Sequence, residues 1–182
     1  MNATPLAIPD VVLLEPKIYD DARGHFYESY NARTFAGAVG HEVSFAQDNH
    51  SRSRRGVIRG LHYQLDPAPQ GKLVRVVAGE IFDVAVDVRK SSPTYGKWVS
   101  EILSAQNKRQ LWIPVGFAHG FMALSDGTEV LYKATTYYDK AAERSIRWDD
   151  PDLAIAWPQG LTPLLADKDA AAPAFAAAEV FA

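Results

Sequence analysis

Short segments rich in valine, isoleucine, phenylalanine and tyrosine recur along this chain, separated by glycine, proline, asparagine and aspartate. They are VVLLEPKIYD, GHFYESY, GVIRGLHYQL, KLVRVVAGEIFDVAVDV, KWVSEIL, RQLWIPVGFAHGFMAL, TEVLYKATTYY and RSIRWDD. Such spacing is typical of an antiparallel sandwich or barrel, and not of alternating strands and helices. Helices are favoured only in NARTFAGAVG, after Tyr30, and in the alanine-rich tail from Asp169 onward. The pattern predicts an all-β fold with a few short peripheral helices.

Size, charge and cysteine content limit the classes of function. The chain has 182 residues and no repeat or linker, so we expect a single domain over residues 1–182. A net charge of −3 gives no basic excess for binding nucleic acid. The absence of cysteine excludes disulfides and thiolate metal sites and favours an intracellular protein. Without a basic N-terminal leader or a long apolar run, we expect a cytoplasmic protein with neither membrane nor nucleic acid as a partner.

Alternate residues of a strand share a face, and two segments use this alternation differently. In EVLYKATTYY, one face carries Val130, Tyr132, Ala134, Thr136 and Tyr138. Tyr132 and Tyr138 are therefore expected about 20 Å apart on one interior face, where one can act at a reacting centre and the other can hold the far end of a long ligand. In EIFDVAVDV, the core face carries Phe82, Val84, Val86 and Val88. Asp83 and Asp87 lie on the other face and are expected to be solvated or structural.

A histidine in a small β-barrel first suggests a metal site. Metal-binding cupins place two histidines and a glutamate on one hairpin and a third histidine on a later strand. His119, at the end of PVGFAH, matches the later position, but His62 is followed by Tyr63 and Gln64 and offers a single ligand. The sequence therefore predicts no metal site. His25, His41 and His50 lie in polar stretches and are expected to face solvent.

Several ordered motifs closely resemble the dTDP-4-dehydrorhamnose 3,5-epimerase family, which are metal-free cupins. They are RGHFYE, QDNHSRSRRGVIRGLHYQ, QGKLVRVVAGEIFDVAVDVRKSSPTYGKW, IPVGFAHGF and YKATTYYD, and the resemblance covers residues from about 5 to about 170. It implies a jelly roll that forms a homodimer with strands shared between subunits and needs no cofactor. The implied reaction converts dTDP-4-dehydro-6-deoxy-D-glucose to dTDP-4-dehydro-L-rhamnose by inversion at C3 and C5.

The resemblance also implies catalytic roles. C3 and C5 are both α to the C4 ketone, so inversion needs a base, a cation for the enolate oxygen and an acid on the opposite face. His62 matches the family's base, and Asp169 matches the carboxylate that orients it. Lys72 matches the enolate-stabilising cation, and Tyr132 matches the acid.

Further matches imply a binding surface for the sugar nucleotide. The ligand-binding cations are Arg23, Arg59 and Lys168. Positions that bind the nucleoside and the sugar are Glu28, Gln47, Asp48 and Asn49, and other substrate-binding positions are Lys72, His119 and Glu143. Tyr138 matches the ring that stacks on thymine. Because Arg59 and His62 would face opposite ways in a straight strand, we expect a bulge or twist near Gly60.

Three alternatives stay open. Some members of the resembled family invert only C3 or only C5 and serve other deoxysugar pathways. A cupin of this type could also bind a sugar nucleotide without catalysis, although the presence of all four catalytic matches argues against this. A metal-dependent cupin oxygenase is disfavoured by the missing ligands beside His62.

Overall fold

A computed structural model describes residues 1–182 and contains thirteen strands, two α-helices and one 3₁₀ helix. The strands are β1 (Asn2–Pro5), β2 (Val12–Glu15), β3 (Tyr19–Asp21), β4 (Gly24–Phe26), β5 (Gln47–Ser53), β6 (Ile58–Gln64), β7 (Lys72–Ala78), β8 (Glu80–Asp87), β9 (Trp98–Ser104), β10 (Gln110–Ile113), β11 (Phe117–Ala123), β12 (Thr128–Ala134) and β13 (Glu143–Ser145). The helices are α1 (Ala32–Val39) and α2 (Asp167–Ala170), and the 3₁₀ helix is Phe175–Ala177. Neither α-helix has the length and apolarity needed to cross a membrane.

The strands form two antiparallel sheets and a separate hairpin. The six-stranded sheet has the order β1-β2-β10-β7-β12-β5, and the five-stranded sheet has the order β13-β6-β11-β8-β9. The largest core cluster draws residues from both sheets, including Val74 and Val130 from the first and Ala85 and Phe121 from the second. The sheets therefore enclose a common interior, and the predicted all-β jelly roll is confirmed.

The outer face of each sheet is covered by a different part of the chain. Helix α1 packs Phe35 onto Trp112 of the six-stranded sheet. It begins where the side chain of Asn31 accepts a hydrogen bond from the Thr34 amide, and it ends at Gly40, whose φ of 82° suits glycine. The C-terminal segment covers the five-stranded sheet with an apolar cluster that includes Trp157.

Two local expectations differ from the structure, and one strand was not predicted. The polar segment QDNHSRS forms strand β5, which pairs with β12 at the edge of the six-stranded sheet. Strand β12 ends at Ala134, so the extended spacing expected between Tyr132 and Tyr138 does not apply. The alanine-rich tail forms only the four residues of α2 and the 3₁₀ helix, because Pro173 interrupts it.

The β3–β4 hairpin pairs only with itself and joins neither sheet. It leaves Tyr19 and Phe26 exposed, Phe26 to 67%. Exposed aromatic side chains on adjacent strands are a feature of surfaces that contact another molecule.

Candidate active site

A pocket that is open to solvent lies where β5, β6, β7, β11, β12, β13 and α2 meet. Nine of the fourteen predicted site residues line it: Arg59, His62, Lys72, His119, Tyr132, Tyr138, Glu143, Lys168 and Asp169. They come from both sheets and from the segment that covers the five-stranded sheet. The fold therefore brings together side chains that are widely separated in the sequence.

The expected bulge near Gly60 is confirmed. His119 of β11 pairs with His62, but Phe121 pairs with Arg59, so β6 contains one extra residue in this interval. Gly60 has a φ of 131°, and a Cβ atom there would lie 2.4 Å from the Cα atom of Gly120. Only glycine fits this close approach, and the extra residue lets both Arg59 and His62 face the pocket.

His62 is paired with a buried carboxylate. Its Nε2 atom lies 2.6 Å from Oδ1 of Asp169, a residue of α2 whose side chain is almost fully buried. About a quarter of the His62 side chain remains exposed to the pocket. A carboxylate that accepts a hydrogen bond from one ring nitrogen fixes the ring and leaves the other nitrogen able to accept a proton.

Lys72 places an ammonium group in the interior without a hydrogen-bonded carboxylate. The residue is 7% exposed. Burial lowers the pKa of Lys72 to about 8, and the negative charges of Glu143 and Asp83 oppose that change from a distance. The ammonium group is therefore free to interact with an oxygen atom that acquires negative charge in the pocket.

Tyr132 enters the pocket from strand β12. Burial raises the pKa of Tyr132, while the positive charges of Arg59 and Lys168 oppose that change. Its phenol therefore keeps its proton at neutral pH and can donate it.

At the pocket rim, Glu143 forms hydrogen bonds with two residues that are predicted to bind the ligand. Its carboxylate accepts a hydrogen bond from Lys168 at 3.0 Å and another from the hydroxyl of Tyr138 at 3.0 Å. Burial would raise the pKa of Glu143, but these hydrogen bonds outweigh that effect and the pKa is lowered. The Tyr138 ring itself is 54% exposed, which leaves a face for stacking.

Arg59 forms two hydrogen bonds with neutral acceptors, which leave its positive charge unpaired. Its Nε atom donates to Oγ of Ser53 at 3.1 Å, and its terminal nitrogen donates to the carbonyl of Arg52 at 3.2 Å. Neither acceptor is a carboxylate, so the guanidinium remains suited to a phosphate.

His119 forms a second histidine–carboxylate pair. Its Nε2 atom lies 3.0 Å from each oxygen of Asp83, and the Cα atoms of His119 and His62 are direct partners in the β6–β11 ladder. Burial raises the pKa of Asp83, opposed by His119 and Lys72.

Asp83 and Asp87 were expected to be solvated or structural, and neither is solvated, because both are fully buried. The C-terminal segment covers the opposite face of β8, so the aspartate face points into the molecule. Asp87 is structural: it accepts hydrogen bonds from Arg89, Ser92 and Thr94, which outweigh the effect of burial and lower its pKa to about 2.

Five predicted site residues lie outside the pocket lining. Gln47 and Asn49 bond to each other on β5, and the Gln47 carbonyl oxygen accepts a hydrogen bond from the Tyr138 amide. Asp48 is ion-paired with Lys133. Arg23 lies on the turn of the β3–β4 hairpin, and Glu28 follows that hairpin. His25, His41 and His50 are exposed, as expected.

Sequence reasoning missed several polar groups around the pocket. Ser51 lines it with a buried hydroxyl that has no hydrogen-bond partner. Gln64 and Gln70 also line it, and they bond to the backbone of the segment that carries Tyr138. Alternation along QDNHSRS was the available signal for Ser51, because that strand exposes every second residue.

No group of three or more histidine, cysteine, aspartate or glutamate side chains is placed to hold a metal ion. The pocket contains two histidine–carboxylate pairs, the Glu143–Lys168 pair and the unpaired ammonium group of Lys72. They can abstract and return protons and can balance negative charge on a ligand.

Comparisons with known proteins agree on one family. The family model described as dTDP-4-dehydrorhamnose 3,5-epimerase matches residues 5–177. A Pseudomonas aeruginosa protein of that name is 61% identical over 181 residues, which is 100% of this chain and 99% of the relative. The crystal structure of a Legionella pneumophila dTDP-6-deoxy-D-glucose-3,5-epimerase in complex with dTDP-4-keto-L-rhamnose is 53% identical, with a TM-score of 0.93 and coverage of 97% of this chain and 93% of that one.

A relative with a different stereochemical outcome has the same fold. ChmJ, a 3′-monoepimerase from Streptomyces bikiniensis solved in complex with dTDP-quinovose, is 38% identical, with a TM-score of 0.89 and coverage of 94% of this chain and 87% of that one. Similarity of fold therefore does not by itself decide how many centres are inverted.

Proposed function

The chain belongs to the dTDP-4-dehydrorhamnose 3,5-epimerase family, and we propose that it inverts C3 and C5 of dTDP-4-dehydro-6-deoxy-D-glucose. The product is dTDP-4-dehydro-L-rhamnose. The protein is thus an isomerase, and its reaction consists of proton transfers at two carbons next to a ketone.

One observation carries this proposal: His62 and Tyr132, the proposed base and acid, lie on opposing sheets. His62 belongs to β6 of the five-stranded sheet, and Tyr132 belongs to β12 of the six-stranded sheet. Both line the same pocket. A sugar ring held between them meets a proton acceptor on one face and a proton donor on the other, which is the arrangement that inversion requires.

Each inversion can be written with its protons in balance. His62 takes the proton from the carbon, and the electrons of the C–H bond form a carbon–carbon double bond to C4 as the ketone oxygen becomes an enolate. Lys72 stabilises the enolate oxygen, and Asp169 stabilises the protonated His62. Tyr132 then protonates the opposite face of the carbon. Exchange with water returns the proton from His62 and reprotonates Tyr132.

The remaining pocket residues support binding of the nucleotide. Arg59 offers a guanidinium to the diphosphate, and Tyr138 offers a ring face to the thymine. Lys168 and Glu143 line the same pocket as a charged pair. A cytoplasmic location stays a prediction.

The reaction is tested by proton NMR in D₂O with dTDP-4-dehydro-6-deoxy-D-glucose. We expect deuterium at both C3 and C5 together with the signals of the inverted product. Exchange and inversion at a single carbon would assign a monoepimerase instead, and binding without exchange would assign a non-catalytic sugar-nucleotide protein.

We also propose that the protein is a homodimer. The β3–β4 hairpin joins neither sheet and exposes Tyr19 and Phe26. Arg23 and Glu28, predicted to bind substrate, lie on and just after this hairpin and outside the pocket of their own chain. A second subunit would cover the aromatic side chains and would bring these charged residues to a pocket.

Light scattering after size-exclusion chromatography tests the dimer. We expect a mass of twice 20.0 kDa for the unmodified protein and a monomer for the variant Phe26→Asp. His41→Asp, at another exposed position, is the control and is expected to stay dimeric. A monomeric mass for the unmodified protein would contradict the proposal.

A further inference from the structure

Asp83 is a buried carboxylate that the reaction described above does not use. It is fully buried on β8, and the His119 side chain is its hydrogen-bonding partner. A buried carboxylate with a single bonding partner is costly, since ionised groups lose much of their solvation in the interior. A functional role for the negative charge of Asp83 would account for this cost.

The position of Asp83 connects it to the pocket. Asp83 is the Cα partner of Phe121, two residues from His119 along the neighbouring strand, so its side chain reaches the His119 ring from the interior. His119 lines the pocket directly across from His62. With Nε2 bonded to Asp83, the other ring nitrogen of His119 is the one available to a ligand.

Charge in the pocket gives the second argument. Lys72 is buried with no bonded carboxylate, and the two negative charges that support its ammonium group are those of Glu143 and Asp83. Glu143 is already bonded to Lys168 and Tyr138. Of the two charges that act on Lys72, Asp83 is therefore the fully buried one, and its bonded partner His119 lines the same pocket.

We infer that Asp83 is a positioning residue for the proposed reaction: it fixes the His119 ring through Nε2 and supplies the buried negative charge that keeps the Lys72 ammonium group in the pocket. This inference rests on the proposed function. Asp83 touches no substrate in this scheme. It acts through His119 by a hydrogen bond and on Lys72 through its charge.

The test replaces the charge and keeps the shape. Asp83→Asn retains an acceptor for His119 but removes the negative charge. At pH 7 we expect kcat to fall about 10- to 100-fold, because the hydrogen bond from His119 is no longer made to a charged group, with KM changed less than about threefold.

The pH profile separates positioning from a purely structural role. Lys72 must be charged, so activity is expected below its pKa of about 8 and is lost as the pH rises through that value. All charged and titratable groups that line the pocket with Lys72 are unchanged in the variant, and they are Arg59, His62, Tyr63, His119, Tyr132, Tyr138, Glu143, Lys168 and Asp169. Removing the Asp83 charge lowers the pKa of Lys72 further, so the alkaline limb is expected to move to lower pH.

Asp87→Asn is the matched control, since Asp87 lies on the same strand and face and is equally buried. It bonds to Arg89, Ser92 and Thr94, none of which lines the pocket. This variant is expected to lose thermal stability while kcat and the alkaline limb stay unchanged. An Asp83→Asn variant with the kcat and alkaline limb of the unmodified enzyme would overturn the inference.

A measurement on the unmodified protein covers the case in which Asp83→Asn does not fold. Long-range ¹H–¹⁵N NMR of the His119 ring is expected to show a proton on Nε2, and added dTDP-L-rhamnose is expected to shift the other ring nitrogen. A proton on the pocket-facing nitrogen alone would refute the proposed orientation. Failure of the proposed function is distinct, because it appears as an unmodified protein that exchanges no deuterium.

Discussion

The same strands contribute side chains to two different regions of the interior, the polar pocket and the apolar core. On β7, Lys72 faces the pocket, whereas Val74 and Val76 belong to the apolar core. On β12, Tyr132 lines the pocket two residues after Val130, which is fully buried in that core. On each of these strands, the pocket and the apolar core are therefore only two residues apart along one face.

The two regions differ in whether their buried polar groups have hydrogen-bond partners. The apolar core needs no hydrogen bonds and gains about 25 cal/mol for each Å² that it removes from water. The pocket leaves Lys72 without a bonded carboxylate and the buried hydroxyl of Ser51 without a partner. A buried neutral group left without a partner costs about 1–3 kcal/mol, and a charged group costs more. Packing in the core offsets that cost, and the unpaired groups remain free for a ligand.

The largest expected effect is at the pocket. His62→Ala should slow deuterium exchange at C3 and C5 by about 10²–10⁴-fold, the usual contribution of a positioned base, with dTDP binding nearly unchanged. NMR exchange rates and calorimetric binding measure the two effects. His50→Ala, at an exposed histidine on β5, is the control and should exchange normally. Comparable exchange by His62→Ala would place the base elsewhere.

The core should respond in stability and not in chemistry. Leu111 is fully buried in the core cluster. Leu111→Ala should lower the free energy of unfolding by about 2–5 kcal/mol, because it removes contacts and leaves a cavity. Urea denaturation gives this value, and KM measured on the folded fraction should be unchanged. A large change in KM would show that the two regions are not independent.

Tyr132→Phe should separate proton removal from inversion, because it affects the second process more than the first. It removes one hydroxyl and keeps the ring, so an enolate can still form and be quenched with retention by His62 or by solvent. Inversion should fall about 10²-fold, while deuterium still enters the starting sugar. NMR follows both processes in one sample. An equal loss of exchange and inversion would contradict a separate acid.

The smallest expected effect is at the rim. Stacking on an aromatic ring contributes about 1–3 kcal/mol, so Tyr138→Ala should weaken dTDP binding by one to two decades and leave the exchange rate at saturation nearly unchanged. Titration calorimetry measures the affinity. Tyr137→Ala, at the more exposed neighbour, is the control. Unchanged affinity in Tyr138→Ala would remove the stacking role.

Much of the pocket followed from sequence motifs because they mark short local patterns. The glycine between Arg59 and His62 indicated the bulge, which the register of β6 and β11 confirms. The missed elements were polar ones. Strand β5 carries few apolar side chains, so its hydrophobic pattern is weak, and its pairing with β12 decides its conformation.

By itself the sequence determined the all-β class, the short helix after Tyr30 and the family resemblance, since strand period, caps and turn residues act over a few positions. The tertiary structure alone decided which polar groups are buried together. His62 meets Asp169 across 107 positions in the sequence, and Asp83 is enclosed because a distant C-terminal segment covers the other face of its strand. Burial of a charged group depends on partners from distant parts of the chain, and a local sequence pattern cannot predict those partners.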